Sequence, residues 1–155
     1  MIGDSPEEAT YDNLNRAFRL VLGGAVLVGM HRNAWWLTPD GPTLDSGAFV
    51  AGLEFASGRK ATVVGKPSLG FFAQGVRDLR DEVGRDLARD EIAMVGDDIR
   101  TDIRAAQRAG LRGVFVMSGK HSAADIETAA TERGGRRPDA VAADLAEVVR
   151  AIGSG

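Results

Sequence analysis

The sequence predicts an α/β protein built around a partial, doubly wound sheet of mostly parallel strands. Short apolar runs without polar alternation, such as AVLVGM at residues 25–30 and IAMVG at residues 92–96, are typical of strands that are buried on both faces. Amphipathic stretches of helical period separate these runs, and such helices cover the two faces of a parallel sheet. Together, the two observations favour an open α/β layer over an all-helical or all-β protein.

The first 65 residues predict two helices and two buried strands. Leu14, Phe18, Val21 and Leu22 form one helical stripe, with Thr10 as its N-cap and two glycines after its end. The predicted elements are a helix over 10–24, a strand over 25–30, a loop-rich segment over 31–47 with a turn at 40–42, a helix over 48–58 and a strand over 61–65.

The rest of the chain alternates regularly between helix and strand. The predicted elements are a helix over 69–84 capped by Ser68, a strand over 91–98, a helix over 99–110, a strand over 112–119, a helix over 122–130, a strand over 139–143 and a helix over 144–153. The turn before the second strand–helix series places a domain boundary near residues 60–64, which predicts domains of 1–63 and 64–155.

Charge and cysteine content exclude several classes of function. The net charge of −3 offers no basic surface for nucleic acid or for an anionic membrane. Without cysteine, the chain has no disulfide, thiolate nucleophile or thiolate zinc site, and we expect a cytoplasmic protein. The longest apolar stretch is too short to span a bilayer, and residues 1–10 are acidic and polar, unlike a signal peptide.

Charged residues follow two of the predicted strands. Lys66 comes after the strand at 61–65, and Asp97 comes after the apolar run at 92–96. Ligands of doubly wound folds lie outside the carboxyl ends of the strands, so we expect Lys66 and Asp97 to meet at one sheet edge. A lysine neutralises phosphate oxygens and a carboxylate binds Mg²⁺, while Asp102 is placed to support the metal ligand from behind. The pattern predicts a site for a phosphate ester and Mg²⁺.

Each of these residues also has a purely structural interpretation. A lysine before proline is commonly a loop residue, and Asp98 at a helix start complements the helix dipole. Structural ion pairs produce similar acidic clusters. The combination of Lys66 and Asp97 after successive strands, in this order, favours the chemical interpretation.

The segments VVGKPSLGFF at 63–72 and MVGDDIRTDIRAAQRAGLRGVFVMSGK at 94–120 closely resemble the third and fourth motifs of the haloacid dehalogenase superfamily. The resemblance is to phosphatases with a large α/β cap inserted between the second and third motifs, a branch that includes the phospholysine phosphohistidine inorganic pyrophosphate phosphatases and the 4-nitrophenylphosphatase-like enzymes. Residues 3–68 resemble the latter part of that cap. The resemblance therefore implies a partial Rossmannoid core over 64–155, preceded by the C-terminal part of an α/β cap over 1–63.

The resemblance also implies roles for the charged residues of the core. Lys66 matches the catalytic lysine that holds the phosphate and offsets the charge of the nucleophile. Asp97 matches the Mg²⁺ ligand, and Asp102 the acid that supports it. Asp98 occupies a variable position near the metal.

In the cap, the resemblance points to two segments that face the substrate. These are HRN at 31–33, with His31 and Asn33, and LDSG at 44–47, with Asp45. A histidine that only packs a loop is an equally good interpretation of His31. Trp35 and Trp36 are expected to pack the cap, because large aromatic side chains bury much apolar area.

The nucleophile of this family is the first Asp of an Asp-x-Asp motif, and attack on phosphorus forms an aspartyl-phosphate that water hydrolyses. No two aspartates in the 155 residues are two positions apart, and the second family motif, a Ser or Thr at a strand end, has no convincing match. The chain begins where a family member would be in mid-cap, so we expect the isolated polypeptide to be inactive. A sheet without its first strand exposes an edge, which predicts a homo-oligomer or a missing N-terminal fragment as partner.

The leading hypothesis is a Mg²⁺-dependent phosphatase that acts on small phosphorylated metabolites. The alternative is a non-catalytic remnant that binds a phosphate ligand or a protein partner. A phospho-acceptor receiver domain uses similar residues, but its acidic pair precedes its lysine, whereas Lys66 precedes Asp97 here. A dinucleotide-binding domain is disfavoured, since no G-x-G-x-x-G follows a predicted strand.

Overall fold

A computed structural model describes residues 1–3 and 6–153, and the chain divides into two compact units, Met1–Ser68 and Leu69–Gly155. The fold is mixed α/β with parallel strands, as the sequence predicts. The elements of the first unit are a 3₁₀ turn at Pro6–Glu8, α1 at Tyr11–Leu22, β1 at Val28–Gly29, β2 at Trp35–Thr38, β3 at Gly41–Leu44, α2 at Ser46–Ser57 and β4 at Thr62–Val63.

The helices of the first unit form where the sequence predicts them. The Thr10 side chain accepts a hydrogen bond from the backbone N–H of Asn13 and caps α1, and α2 ends at Gly58 in the left-handed conformation. The two helices share an apolar core in which Val21, Leu27 and Leu53 are buried. Burial of one face of each helix, rather than helix propensity alone, stabilises elements of this length.

The loop-rich prediction for residues 31–47 is wrong, because β2 and β3 form an antiparallel hairpin. Trp35 lies opposite Leu44 and Thr38 lies opposite Gly41, so Pro39 and Asp40 make a two-residue loop. Gly41 has a φ of 105°, a conformation that favours glycine directly after a tight turn. The hydroxyls of Thr38 and Thr43 lie 3.0 Å apart across the two strands, a cross-strand contact in a hairpin whose sequence lacks clear alternation.

Strand β4 pairs in parallel with β1, with Thr62 opposite Val28 and Val63 opposite Gly29. Within the described residues, β4 has no pairing with the strand that precedes Asp97. Lys66 therefore follows a strand of the first unit and Asp97 a strand of the second, and their meeting at one sheet edge stays a prediction. Backbone hydrogen bonds from Thr62 to Leu27 and from Val64 to Gly29 commit β4 to the first unit.

The second unit alternates helix and strand through to the end of the chain. Its elements are α3 at Leu69–Val83, a 3₁₀ turn at Arg89–Glu91, β5 at Ala93–Gly96, a π-helical turn at Ile99–Arg104 that continues into α4 at Ala105–Arg108, β6 at Arg112–Val116, α5 at Ala123–Thr131, β7 at Ala140–Ala142 and α6 at Leu145–Gly153. The strands form one parallel sheet in the order β5–β6–β7.

Strand β6 lies in the centre of this sheet, and helices cover both of its faces. Phe115 packs with buried Ile99 and Ile103 on one face, whereas Val116 packs with Val148 of α6 on the other. Successive side chains of a strand point to opposite faces, so one strand serves two apolar layers. This arrangement explains the unbroken apolar run that marks β6 in the sequence.

One edge of β5 has no strand partner among residues 1–3 and 6–153. The other edge pairs with β6, with Val95 opposite Val114. No helix within the described part of the chain is long and apolar enough to cross a membrane.

Candidate functional site

Asp97 follows β5 at its carboxyl end, where the sequence predicts a metal ligand. Its carboxylate is partly buried, and Oδ2 accepts a hydrogen bond of 2.8 Å from the backbone N–H of Lys120. A Cβ atom added to Gly119 would lie 2.1 Å from the same oxygen, so the backbone after β6 packs directly against this carboxylate. The second oxygen, Oδ1, makes no hydrogen bond to any described residue.

Asp98 is buried and caps the helix that starts at Ile99. Its Oδ1 accepts hydrogen bonds from the backbone N–H groups of Arg100 and Thr101, at 2.9 and 3.0 Å, and its Oδ2 lies 2.7 Å from Nζ of Lys120. Burial, the largest single influence, raises the pKa of Asp98, but the hydrogen bonds from Lys120 and the helix N-terminus outweigh it and hold the pKa below its ordinary value. Both oxygens of Asp98 are therefore engaged by the protein itself.

Asp102 is buried one turn into the helix and faces back toward the strand end. Its Oδ2 accepts a hydrogen bond of 3.3 Å from the backbone N–H of Asp98. A Cβ atom at Gly96 would lie 2.4 Å from this oxygen, which explains why glycine precedes the two aspartates. Asp102 thus supports the turn that carries Asp97, and its place behind a metal ligand stays a prediction.

Sequence reasoning missed two residues of this cluster, Lys120 and His121. His121 is buried; its Nδ1 accepts a hydrogen bond of 3.2 Å from the backbone N–H of Ile99 and lies 4.0 Å from Asp98. Both residues follow β6, the strand beside β5, so their position after a central parallel strand was the signal that could have identified them.

Lys66 belongs to the first unit and is partly buried. Its backbone carbonyl accepts a hydrogen bond from the N–H of Arg32, and Gly65 donates to Met30 at 2.7 Å. A Cβ atom at Gly65 would lie 2.1 Å from the Met30 carbonyl oxygen, so glycine is required for this close approach. The segment after β1 thus fixes the backbone that carries the lysine.

The predicted cap residues His31 and Asp45 lie together at the start of α2. Nε2 of His31 is 3.2 Å from Oγ of Ser46 and 3.5 Å from Oδ1 of Asp45, and Asp45 is the N-cap of the helix. Asn33 lies in the adjoining segment, and its Oδ1 is buried without a hydrogen bond to any described residue. The arrangement accounts for Asp45 structurally, whereas Oδ1 of Asn33 and Nδ1 of His31 are buried without a hydrogen bond to any described residue.

Arg32 and Glu54 form a two-bonded ion pair that ties the segment after β1 to α2. The guanidinium donates to the two carboxylate oxygens at 3.0 and 2.6 Å, and the backbone N–H of Ala61 donates to the same carboxylate at 2.8 Å. The Arg32 hydrogen bonds and the Ala61 N–H lower the pKa of Glu54 to about 2. Because Glu54 is buried, the pair holds this part of the first unit in one geometry.

At the end of β5, the carboxylate of Asp97 is open to a metal ion. Within the described residues, no group of three or more His, Cys, Asp or Glu side chains is arranged to hold a metal. Among the described residues, Asp97 keeps one oxygen without a hydrogen bond, whereas the neighbouring Asp98 binds Lys120 and the helix N-terminus. Mg²⁺ commonly takes only one or two carboxylates together with water and phosphate oxygens. The residues present therefore fit a Mg²⁺ ion to which this part of the chain supplies one carboxylate ligand, Asp97.

The second unit has the features of a haloacid dehalogenase type of α/β core. These are the parallel β5–β6–β7 sheet, the helices on both of its faces and the carboxylate of Asp97 at the end of β5. The HAD-hydrolase-like family model matches residues 63–148, which is more than half of the chain. The chain belongs to this hydrolase family, and the predicted family resemblance is confirmed.

Relatives of the chain include phosphatases of the predicted branch. The zebrafish phospholysine phosphohistidine inorganic pyrophosphate phosphatase is 37% identical over 98% of this chain and 53% of its own length. The crystal structure of a Thermotoga maritima 4-nitrophenylphosphatase covers 96% of this chain and 53% of its own, with a TM-score of 0.77 and 27% identity. A Mycobacterium tuberculosis glycerol phosphate phosphatase in complex with magnesium covers 90% of this chain and 39% of its own, with a TM-score of 0.71 and 29% identity.

This chain spans about half the length of the curated relatives it matches. The remaining half of those relatives has no counterpart in these matches.

Proposed function

We propose that this chain is the metal- and phosphate-binding part of a Mg²⁺-dependent phosphatase that acts on small phosphate esters. The observation that carries the proposal is Asp97, a strand-end carboxylate with one oxygen held by a backbone N–H and the other without a hydrogen bond among the described residues. The magnesium complex of the Mycobacterium tuberculosis relative supports the choice of metal.

Three charged residues of this chain are proposed to have different roles. Asp97 would hold Mg²⁺, which when bound shields the negative charge of a phosphate. Lys66 would bind phosphate oxygens as a compact positive charge on a backbone fixed by Gly65 and Arg32. Asp102 would keep the turn after β5 in place through the backbone N–H of Asp98.

In the cap, His31, Asn33 and Asp45 are proposed to lie near the substrate. The buried, unsatisfied Oδ1 of Asn33 supports this role most directly, because a hydroxyl or amine of a metabolite would satisfy it. Asp45 and His31 would orient the start of α2 through their contacts with Ser46. The predicted cytoplasmic location stays a prediction.

A second candidate is a non-catalytic protein that binds a phosphate ligand or a protein partner. This candidate needs no Asp-x-Asp pair, and these 155 residues contain none. In either case we propose that the isolated chain does not turn over phosphate esters, and that it associates with a second copy or with a fragment that supplies the missing strand.

Titration with Mn²⁺, followed by electron paramagnetic resonance of the free ion, tests the metal site without requiring turnover. We expect the wild-type chain to bind Mn²⁺ and Asp97→Asn to lose that binding. Asp81→Asn, an exposed aspartate of α3, serves as the matched control and should bind as the wild type does. Equal binding by all three proteins would refute the proposed metal site.

A further inference from the structure

We infer that Lys120 is the positioning residue that separates the roles of Asp97 and Asp98 and orients Asp97 toward a metal ion. The inference deepens the proposed function and rests on the metal-binding role of Asp97. Lys120 lies in the loop that follows β6, residues 117–121, which is called the β6 loop below.

Lys120 touches the two neighbouring aspartates through different atoms. Its backbone N–H donates to Oδ2 of Asp97 at 2.8 Å, and its Nζ donates to Oδ2 of Asp98 at 2.7 Å. One residue thus fixes one oxygen of each carboxylate. Because the remaining oxygen of Asp98 caps the helix, the only open oxygen of the two side chains is Oδ1 of Asp97.

The charge balance explains how two adjacent carboxylates can share this strand end. The side chain of Lys120 is only 12% exposed and that of Asp98 only 9%, so the ion pair is shielded from water. A hydrogen bond between charged groups in such surroundings is short and directional. Neutralising Asp98 leaves Asp97 as the carboxylate whose charge is available to a divalent cation.

The β6 loop is tied to the strand end at both of its flanks. Gly119 packs so closely on Asp97 that an added Cβ would lie 2.1 Å from its Oδ2, and His121 accepts the backbone N–H of Ile99 at 3.2 Å. Lys120 stands between these two contacts. Its side chain is the part of the loop that reaches Asp98, so we expect loss of the side chain to loosen the backbone N–H that orients Asp97.

The test compares Lys120→Met with the conservative Lys120→Arg in the full chain. We expect Lys120→Met to weaken Mn²⁺ binding about ten-fold, the usual loss when a partner of a metal ligand is removed, and Lys120→Arg to recover most of it. Amide hydrogen exchange measured by NMR gives a readout without metal. The amide of residue 120 should exchange faster in Lys120→Met than in the wild type, while amides of α3 stay unchanged.

The double variant Asp98→Asn/Lys120→Met is a control for misfolding of Lys120→Met, because it removes both charges of the ion pair and leaves no buried charge without a partner. We expect it to keep the wild-type circular dichroism spectrum and still bind Mn²⁺ weakly with a fast-exchanging amide at residue 120. Wild-type Mn²⁺ affinity in this double variant would mean that Lys120 only neutralises Asp98, and the inference would be overturned.

The same experiment separates the inference from the proposed function. If the wild type binds no Mn²⁺, or Asp97→Asn binds it unchanged, the proposed metal site fails and the inference fails with it. If Asp97→Asn abolishes binding while Lys120→Met changes neither Mn²⁺ affinity nor amide exchange, the inference alone fails.

Discussion

Two neighbouring carboxylates at the end of β5 make different contacts because the chain turns into a helix between them. Asp98 becomes the N-cap, since its backbone is extended while the following N–H groups point at its side chain. Asp97 stays on the strand side, where it meets the β6 loop. The sequence shows the pair of aspartates, but their division of roles depends on Lys120, which lies 22 positions beyond Asp98.

At the residue scale, Glu54 makes a pH-dependent contribution to stability. Its folded-state pKa of about 2 lies below the ordinary value of 4.5, so the contribution is fully present above about pH 4.5 and is lost as the pH falls toward 2. Glu54→Gln should therefore lower the free energy of unfolding by about 1–3 kcal/mol at pH 7, a range reduced from the full pKa shift because Arg32 is partly exposed.

Urea denaturation at pH 7 and pH 3 measures this difference. The gap between wild type and Glu54→Gln should shrink at the lower pH, whereas Glu7→Gln, an exposed glutamate of the same unit, should match the wild type at both. A gap that is equal at pH 7 and pH 3 would show that Glu54 stabilises the fold by packing rather than by charge.

At the element scale, local signals were enough to predict where the helices and the parallel strands lie along the chain. Thr10 caps α1, and Gly58 and Gly84 adopt positive φ where α2 and α3 end, so local chemistry marks these boundaries. Strand partners were not predictable, because pairing of β4 with β1 depends on residues more than thirty positions apart. The hairpin was missed because a Pro-Asp loop flanked by mixed side chains looks like coil without its cross-strand contacts.

Glycine substitutions separate element stability from site geometry. Gly75 lies within α3 with no atom within 4 Å of an added Cβ, so Gly75→Ala should raise the free energy of unfolding by about 0.5–1 kcal/mol. In Gly119→Ala the new Cβ would meet Asp97, so the carboxylate must move and Mn²⁺ binding should fall. Urea denaturation and Mn²⁺ titration of both variants check the two effects; wild-type Mn²⁺ affinity in Gly119→Ala would contradict the described packing.

At the scale of the whole molecule, one edge of β5 predicts association with another chain. This edge pairs with no strand among the described residues, and unpaired strand edges pair readily with other chains. We expect the purified chain to self-associate at micromolar concentration, as measured by sedimentation velocity. Ala93→Arg, at the exposed residue of β5, should weaken that association, while Leu145→Arg at an exposed residue of α6 should not. A well-folded monomer across the concentration range would refute the prediction.

The proposed hydrolysis is expected to need more than this chain, because the chain matches only about half the length of its relatives. We expect the isolated chain to hydrolyse 4-nitrophenyl phosphate with Mg²⁺ no faster than buffer.

A fusion tests the proposed catalytic roles. When this chain is joined to the half of the Thermotoga maritima 4-nitrophenylphosphatase that it does not match, we expect Mg²⁺-dependent hydrolysis. Asp97→Asn or Lys66→Met should lower the rate of the fusion by at least about 100-fold, because each variant removes a group that stabilises the transferred phosphate. Asp81→Asn in the same fusion should leave the rate unchanged. A folded, monodisperse fusion that is inactive would favour the non-catalytic alternative, and turnover by the isolated chain would show that these 155 residues carry a nucleophile of their own.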